Sequence, residues 1–276
     1  MKTDTPVLVL GGTGTVGSRV VARLRDRGVP VRAAGRHTDP VFDWEDPSSW
    51  DGVLAGADRM YLLLPDDVGL PDGFLARADR AGVRRVVLHS DRGVEVMGVT
   101  RLADAERAVR GSGLEWTIVR PDWFAQNFET FFRDAVAGGR LCVPVGEAKQ
   151  GFVDADDIAA VAVQTLTTDA YLGEVLELTG PVALSFREAL DHIGRSTGRE
   201  VTFDGSVEAY RREMTAAGLP AEVVEELIEG FTRLAARGDT EPTGTVERVL
   251  GRPGRHLRDY AVEAAARGVW APDGQQ

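Results

Sequence analysis

Along roughly the first half of the chain, short uninterrupted apolar runs alternate with stretches in which apolar side chains return every three or four positions. Val7 to Leu10 is apolar throughout, the pattern of a strand buried on both faces. Val16, Val20, Val21 and Leu24 then fall on one helical stripe over 16–27, which Gly28 ends. The same reading predicts a strand over 29–34, a short helix over 50–54, a strand over 59–64 halted by Pro65, a helix over 73–81 and a strand over 83–89. Helix formers crowd 100–110 until Gly111-Ser112-Gly113 breaks them, and 116–119 reads as a strand, with Trp116 in the core, running into Arg120-Pro121. Farther on, 124–137 and 156–166 read as helices and 174–178 as a strand. The plain reading of the acids at Asp154, Asp156 and Asp157 is a helix cap. Ser185 and Glu188 have capping-box spacing ahead of a helix that Gly198 stops. Over 207–237 a helical pair divides near Gly218-Leu219-Pro220, with Val223, Val224, Leu227, Ile228, Phe231 and Leu234 as a packing stripe. The last residues, 273–276, read as a frayed end. Strand and helix in alternation predict an α/β fold with a doubly wound parallel sheet covered on both faces.

The link between the first strand and first helix narrows the class. Leu10-Gly11-Gly12-Thr13-Gly14-Thr15-Val16-Gly17 has the glycine spacing of a Rossmann-like turn. Gly11 permits the tight turn, Gly14 the close approach of a pyrophosphate, and Gly17 the packing of helix on sheet. The free N–H groups around Val16 at the helix start, with the hydroxyls of Thr13 and Thr15, form a phosphate seat. No Gly-Lys-Ser or Gly-Lys-Thr follows, which disfavours phosphoryl transfer. The second strand ends in Ala33-Ala34-Gly35-Arg36-His37, without the acid that would hold both ribose hydroxyls of NAD. Arg36 offers a planar cationic fork for a 2′-phosphate, so NADP(H) is the expected cofactor.

Further candidates lie where strands end, the edge at which open α/β sheets meet ligands. Leu64, Pro65 and Ser90 are assigned to the cofactor cleft and Asp91 to substrate. Asp43 is placed near the adenine or ribose edge, a turn acid being an equal reading. His89 is a positioning or proton-donating candidate that a structural role would suit as well. Trp123 and Phe124 are read as substrate-cleft residues, with ordinary packing as the alternative. Asp122 and Asp154 could favour a cationic substrate, or else cap a helix or hold a loop.

Composition changes the picture mainly by exclusion. With 43 acidic against 32 basic residues the formal charge is −11, a poor match for a nucleic-acid backbone. Cys142 is the only cysteine, which rules out an internal disulfide. Its scarcity suits a reducing cytoplasm, the expected location. The apolar run after Pro6 is too short for a signal segment or membrane span, so no membrane partner is expected. His37, His89, His192 and His256 stand far apart and suggest no metal site. Ser90 is followed by Asp91-Arg92, which is no nucleophile elbow.

The glycine loop, Ser112-Gly113-Leu114-Glu115-Trp116-Thr117-Ile118-Val119-Arg120-Pro121, Trp123-Phe124-Ala125-Gln126-Asn127-Phe128 and Gly151-Phe152-Val153-Asp154-Ala155-Asp156-Asp157 together resemble the NmrA-like atypical short-chain dehydrogenase/reductases. Within that branch the chain looks most similar to the ergot-alkaloid-biosynthesis group and its bacterial relatives, which connects it with secondary metabolism. The resemblance implies a Rossmann-like body over 1–150, continued by 151–180, and a smaller, mainly helical substrate lobe over 181–276. It implies that Pro121 lies at the cofactor, Asn127 at the substrate, and Arg101 where relatives carry lysine or another polar residue, in reach of nicotinamide ribose or a substrate oxygen. The Tyr-x-x-x-Lys pair is absent, its positions being Met97 and Arg101. Arginine stays protonated and methionine has no proton to give. Such a site suits hydride addition to an iminium ion or another conjugated C=N or C=C bond, which needs little proton machinery. Quinone reduction, a redox-sensing binding protein and a redox-neutral enzyme stay open as alternatives. The expected partner is a small-molecule substrate, and a homo-oligomer is left open.

Overall fold

A computed structural model describes residues 5–271. Six parallel strands, β1 (Val7–Leu10), β2 (Val31–Ala34), β3 (Arg59–Leu63), β4 (Arg85–His89), β5 (Glu115–Pro121) and β7 (Val175–Leu178), form one sheet in the order β2-β1-β3-β4-β5-β7. The chain runs from β1 outward to β2 and then returns to the other side of β1 for β3, which makes the β1–β3 border the switch point of a doubly wound sheet. Val7 to Leu10 are fully buried because both faces are covered. On one face α1 (Thr15–Asp26) packs beside α6 (Ala155–Thr167), and Arg19 and Arg23 reach Asp156 across that seam at 3.3 and 3.0 Å. The other face is covered by α2 (Trp50–Leu54), α3 (Phe74–Arg80) and α4 (Thr100–Gly111) around a T-shaped cluster of Phe42, Trp44, Trp50 and Phe74. Trp116 is half-buried, packed at the edge of the cluster that holds Phe42, Trp44, Trp50 and Phe74, with Arg110 over its ring, rather than fully in the core.

Beside the sheet lies a second apolar cluster, largely helical. It takes in α5 (Arg133–Ala137), α7 (Phe186–Thr197), α8 (Val207–Ala216), α9 (Ala221–Ala236) and α11 (Leu257–Ala266), with a two-stranded parallel ribbon of β6 (Arg140–Cys142) and β8 (Thr202–Asp204). Phe128, Phe132, Phe152, Phe186 and Trp270 centre it. α10 (Thr245–Leu250) turns back instead and packs on α6 and β7. The capping box at Ser185 and Glu188 is formed, Gly198 closes α7 at φ +68°, and Asp154 caps α6 by accepting from the Asp156 N–H at 2.8 Å. Residues 273–276 lie outside the described residues.

The single helix expected over 124–137 is not formed. Phe124 is extended and bridges Val153, a one-turn 3₁₀ helix covers Ala125–Phe128, and α5 begins only at Arg133. The cause is Gln126, whose side chain donates to Asp154 (3.1 Å) and accepts from the Ala155 N–H (2.7 Å), pinning the segment to the start of α6. Phenylalanines at 128 and 132 then enter the core from separate turns.

Candidate active site

The glycine loop sits at the carboxyl end of β1, held to β2 by the N–H groups of Gly11 and Gly12, which both donate to the Ala34 carbonyl (3.0 and 3.4 Å). Gly11 turns the chain at φ +70°. A Cβ on Gly17 would stand 2.1 Å from the Gly11 carbonyl oxygen, and one on Gly12 would stand 2.8 Å from the Ala33 Cβ. Packing of the protein therefore demands glycine at both positions, the second of which carries no role in the sequence reading. Gly14 differs, since its Cβ would meet nothing nearer than the Gly11 carbonyl oxygen at 3.4 Å, and its outer side is open. Glycine there keeps the backbone accessible to something outside. α1 starts at this point with no side-chain cap and no acid in its first turn, which leaves its leading N–H groups for an anion. Val16 is buried beneath, while the hydroxyls of Thr13 and Thr15 make no hydrogen bond among the described residues. Just past β2, Arg36 is exposed and has no ion-pair partner among the described residues. This donor set fits a dinucleotide pyrophosphate and an added phosphate.

Next to this seat, a cavity of about 500 Å³ opens over the carboxyl ends of β3, β4 and β5. It gathers Leu64, His89, Ser90, Asp91, Arg101, Trp123, Phe124 and Asn127. The cavity does not include Asp43, Pro65 or Pro121. Asp43 serves its own turn, its side chain accepting from the Glu45 N–H and its carbonyl accepting from the Trp50 indole at 2.8 Å. Pro65 is exposed, and Pro121 is buried in β5 against Leu178.

His89 ends β4 half-buried, with the Tyr61 hydroxyl 2.5 Å from its Nδ1 and the Phe124 ring edge-on at 5.7 Å. Burial lowers the imidazole pKa to about 4, so the ring is neutral at physiological pH, and burial raises that of the Tyr61 phenol, which keeps its proton. Asp91 accepts a 2.5 Å hydrogen bond from the Gly93 N–H, yet desolvation, helped by the negative charge of Asp122, carries its carboxyl up to about 6. Asp122 itself is committed to structure. It pairs with Arg92 at 2.9 Å, both nearly buried, and accepts from the Trp123 N–H at 2.8 Å. Asp154, the other acid considered for a cation, is equally bound up in its cap and in Arg255.

Ser90 lines the cavity with its hydroxyl turned away, donating to Glu106 at 2.6 Å. Glu106, 1% exposed, is also held by Arg120 at 2.7 Å and Arg110 at 2.9 Å, and these arginines hold its carboxyl below the usual range despite burial. The side-chain amide of Asn127 makes no hydrogen bond among the described residues. Arg101 touches exposed Asp66 through Nη2 at 3.3 Å, while its buried Nη1 has no partner. Opposite the strand ends, α9 supplies Phe231 and Leu234, and Arg237 lies just beyond it at the cavity wall. Phe231 stacks at 6.1 Å on Trp123. The spacing of 231, 234 and 237 continues one helical stripe, so Arg237 was within reach of the periodicity that placed the two apolar residues in a packing role. Tyr61 carried no signal beyond its place in a strand.

Among the described residues no cluster of three or more His, Cys, Asp or Glu is arranged to hold a metal ion, and no helix is long and apolar enough to cross a membrane. Residues 11–169 match the NAD(P)H-binding family. The chain is 36% identical to the uncharacterized oxidoreductase YesF of Bacillus subtilis over 96% of this chain and 97% of that one. It is 30% identical to the NAD(P)H azoreductase of Xenophilus azovorans, over 94% and 98%. The structure of the NADPH-dependent quinone oxidoreductase of Escherichia coli complexed with NADPH superposes with a TM-score of 0.81 at 20% identity, covering 94% of this chain and 99% of that one. The chain belongs to the NAD(P)H-binding oxidoreductase family. The narrower likeness to ergot-alkaloid enzymes is not singled out. Agroclavine dehydrogenase of Claviceps fusiformis is 25% identical over 96% of the chain, below YesF, so the motifs shared with it mark the broad family.

Proposed function

We propose that this protein is an NADPH-dependent reductase of small, flat hydrophobic acceptors, with quinones and other conjugated carbonyl compounds ahead of iminium ions. The observation that carries the proposal is the aromatic-walled cavity beside an open glycine loop, whose proton-bearing groups are His89 and Asp91 instead of a Tyr-Lys pair. The dinucleotide, when bound, supplies hydride from its nicotinamide ring. Gly14 and the start of α1 hold its pyrophosphate and Arg36 its 2′-phosphate, a choice supported by the free guanidinium and the lack of an acid after β2.

Hydride arriving on a conjugated carbonyl compound leaves negative charge on oxygen, which a nearby donor stabilises. With the Tyr61 hydroxyl donating to Nδ1, neutral His89 keeps its proton on Nε2 for that purpose. Asp91, with its pKa near 6, retains a protonated fraction close to neutrality and delivers the proton that completes the reduction. Trp123 and Phe124 provide ring surface for a planar acceptor, and Met97 a compliant wall. Iminium ions rank lower because Asp122 is already countered by Arg92. The deciding experiment incubates the purified protein and NADPH with quinone, enone, iminium and simple ketone panels, following NADPH oxidation and product mass. Turnover confined to ketones, or none at all, rejects the reading.

A further inference from the structure

Two of the arginines that line the cavity carry donors that its acids leave unsatisfied. Three acidic and three basic side chains line it, Asp66, Asp91 and Asp122 with Arg92, Arg101 and Arg237, and Asp91 accepts from the Gly93 N–H and makes no ion pair among the described residues. Arg92 and Asp122 neutralise one another at 2.9 Å. Asp66 is fully exposed and reaches only Nη2 of Arg101 at 3.3 Å, where water screens it, while Nη1 is buried without an acceptor. An unsatisfied buried guanidinium N–H costs free energy that an arriving acceptor oxygen recovers. Arg237 makes no hydrogen bond or ion pair through its side chain among the described residues. The phosphates of the dinucleotide do not account for these two arginines, because no residue of the glycine loop belongs to the walls of this cavity.

We infer that Arg101 and Arg237 form an anion seat for the substrate, which is a flat apolar molecule bearing a carboxylate, sulfonate or phosphate group. The geometry suits that division of labour. The apolar rings of Trp123, Phe124 and Phe231 line the space between α9 and the strand ends, Arg101 stands on α4, and Arg237 follows the end of α9. A ring system held by its face and an acid held by a guanidinium fork fix both position and orientation of the reducible bond. This inference rests on the reductase reading for the identity of the ligand as substrate, but the seat can be probed without turnover.

The probes are naphthalene-2-sulfonate and its neutral counterpart naphthalene-2-sulfonamide, titrated by calorimetry into the protein with NADP+ at saturation, so that the glycine loop is filled, and again without NADP+. The sulfonate is expected to bind about tenfold more tightly or better, a preference of about 1.4 kcal/mol. That preference should weaken with added KCl. It should fall to within about threefold, under 1 kcal/mol, in Arg237→Ala and in Arg101→Met. Arg237 is exposed and unpaired, so its variant tests the seat with the fold intact, and thermal melts check the Arg101 variant. Equal affinity for the two probes, or a sulfonate preference that survives both substitutions, overturns the inference. Sulfonate preference with no NADPH oxidation by any acceptor rejects the reductase reading and leaves the seat standing. Turnover of neutral quinones without any sulfonate preference does the reverse.

Discussion

Tyr61 and His89 face one another from adjacent strands, phenol oxygen to Nδ1 at 2.5 Å, with the histidine in register beside Leu63 and the tyrosine two residues earlier on the same face. One side chain is fully buried and the other borders the cavity, so the strand pairing itself aims the imidazole. In Tyr61→Phe the Nδ1 atom loses its partner. The expected cost is about 1–3 kcal/mol of stability. Nitrogen-15 NMR should show the neutral ring moving away from a single tautomer, and kcat for quinones should fall more than KM. An unchanged tautomer together with unchanged kcat would show that the phenol does not orient the ring.

Asp91 and His89 impose opposite pH dependences. Asp91 titrates near 6 when folded, above its ordinary 3.8, so its contribution favours the fold below 3.8 and is lost as pH rises through about 6. His89 titrates near 4 when folded, below its ordinary 6.5, so its contribution is present above 6.5 and is lost as pH falls toward 4. Asp91→Asn keeps an acceptor for the Gly93 N–H and should raise stability at pH 8 by about 1–2 kcal/mol, less than the full shift because the residue is only half-buried. That gain should vanish below pH 4. Quinone reduction in the same variant should drop on the order of 100-fold and lose the decline above pH 6 expected of the parent protein. A parent profile flat from pH 5 to 8 counts against Asp91 as the proton source.

Two glycines of the loop should separate folding from binding. Gly17→Ala puts a methyl group onto the Gly11 carbonyl oxygen and should cost about 1–3 kcal/mol as well as abolishing NADPH binding. Gly14 has φ −79°, a value alanine accepts, and enough room inside the protein. Gly14→Ala should therefore melt at or above the parent temperature while binding NADPH at least tenfold more weakly, or about 1.4 kcal/mol. Denaturation curves and fluorescence titrations distinguish the two. Undiminished affinity in Gly14→Ala would mean the pyrophosphate does not approach there.

Arg36 bears on the choice of dinucleotide. Arg36→Ala should weaken NADPH binding by about 1–3 kcal/mol and leave NADH nearly unaffected, since only the former has a phosphate to lose. Side-by-side titrations with equal affinities in the parent protein would remove the basis for NADP(H).

What the residue pattern disclosed and what it hid follow from the range of the forces involved. β1, its glycine loop and the capped starts of α6 and α7 rest on neighbours within a few positions, and the chain announces them. Residues 124–137 mislead because aromatic spacing there imitates a helix, whereas the Gln126 contacts that break it come from 28 and 29 positions away. β6 and β8 hold three residues each, too few for any period to register. In the site, the strand-end residues His89, Ser90, Asp91, Trp123 and Phe124 can be picked out because sheet edges collect ligands, but nothing near Ser90 in the chain signals that its hydroxyl donates to Glu106. Only the packing of α4 beneath β4 brings that carboxylate to it. Arg237 and Tyr61 likewise gain meaning from what lies opposite them.

The route of the chain between sheet and helical cluster carries a practical consequence. It leaves the sheet after β5, returns for α6 and β7, departs again for α7 through α9, comes back with α10 and ends among the aromatic residues with α11. No single scission liberates either half intact: a gene fragment stopped near residue 180 would encode a nucleotide-binding sheet deprived of α10 and burdened with an orphaned greasy segment from Ala125 to Cys142. Swapping specificities between relatives by exchanging tails is blocked for the same reason, and grafts have to follow the braid.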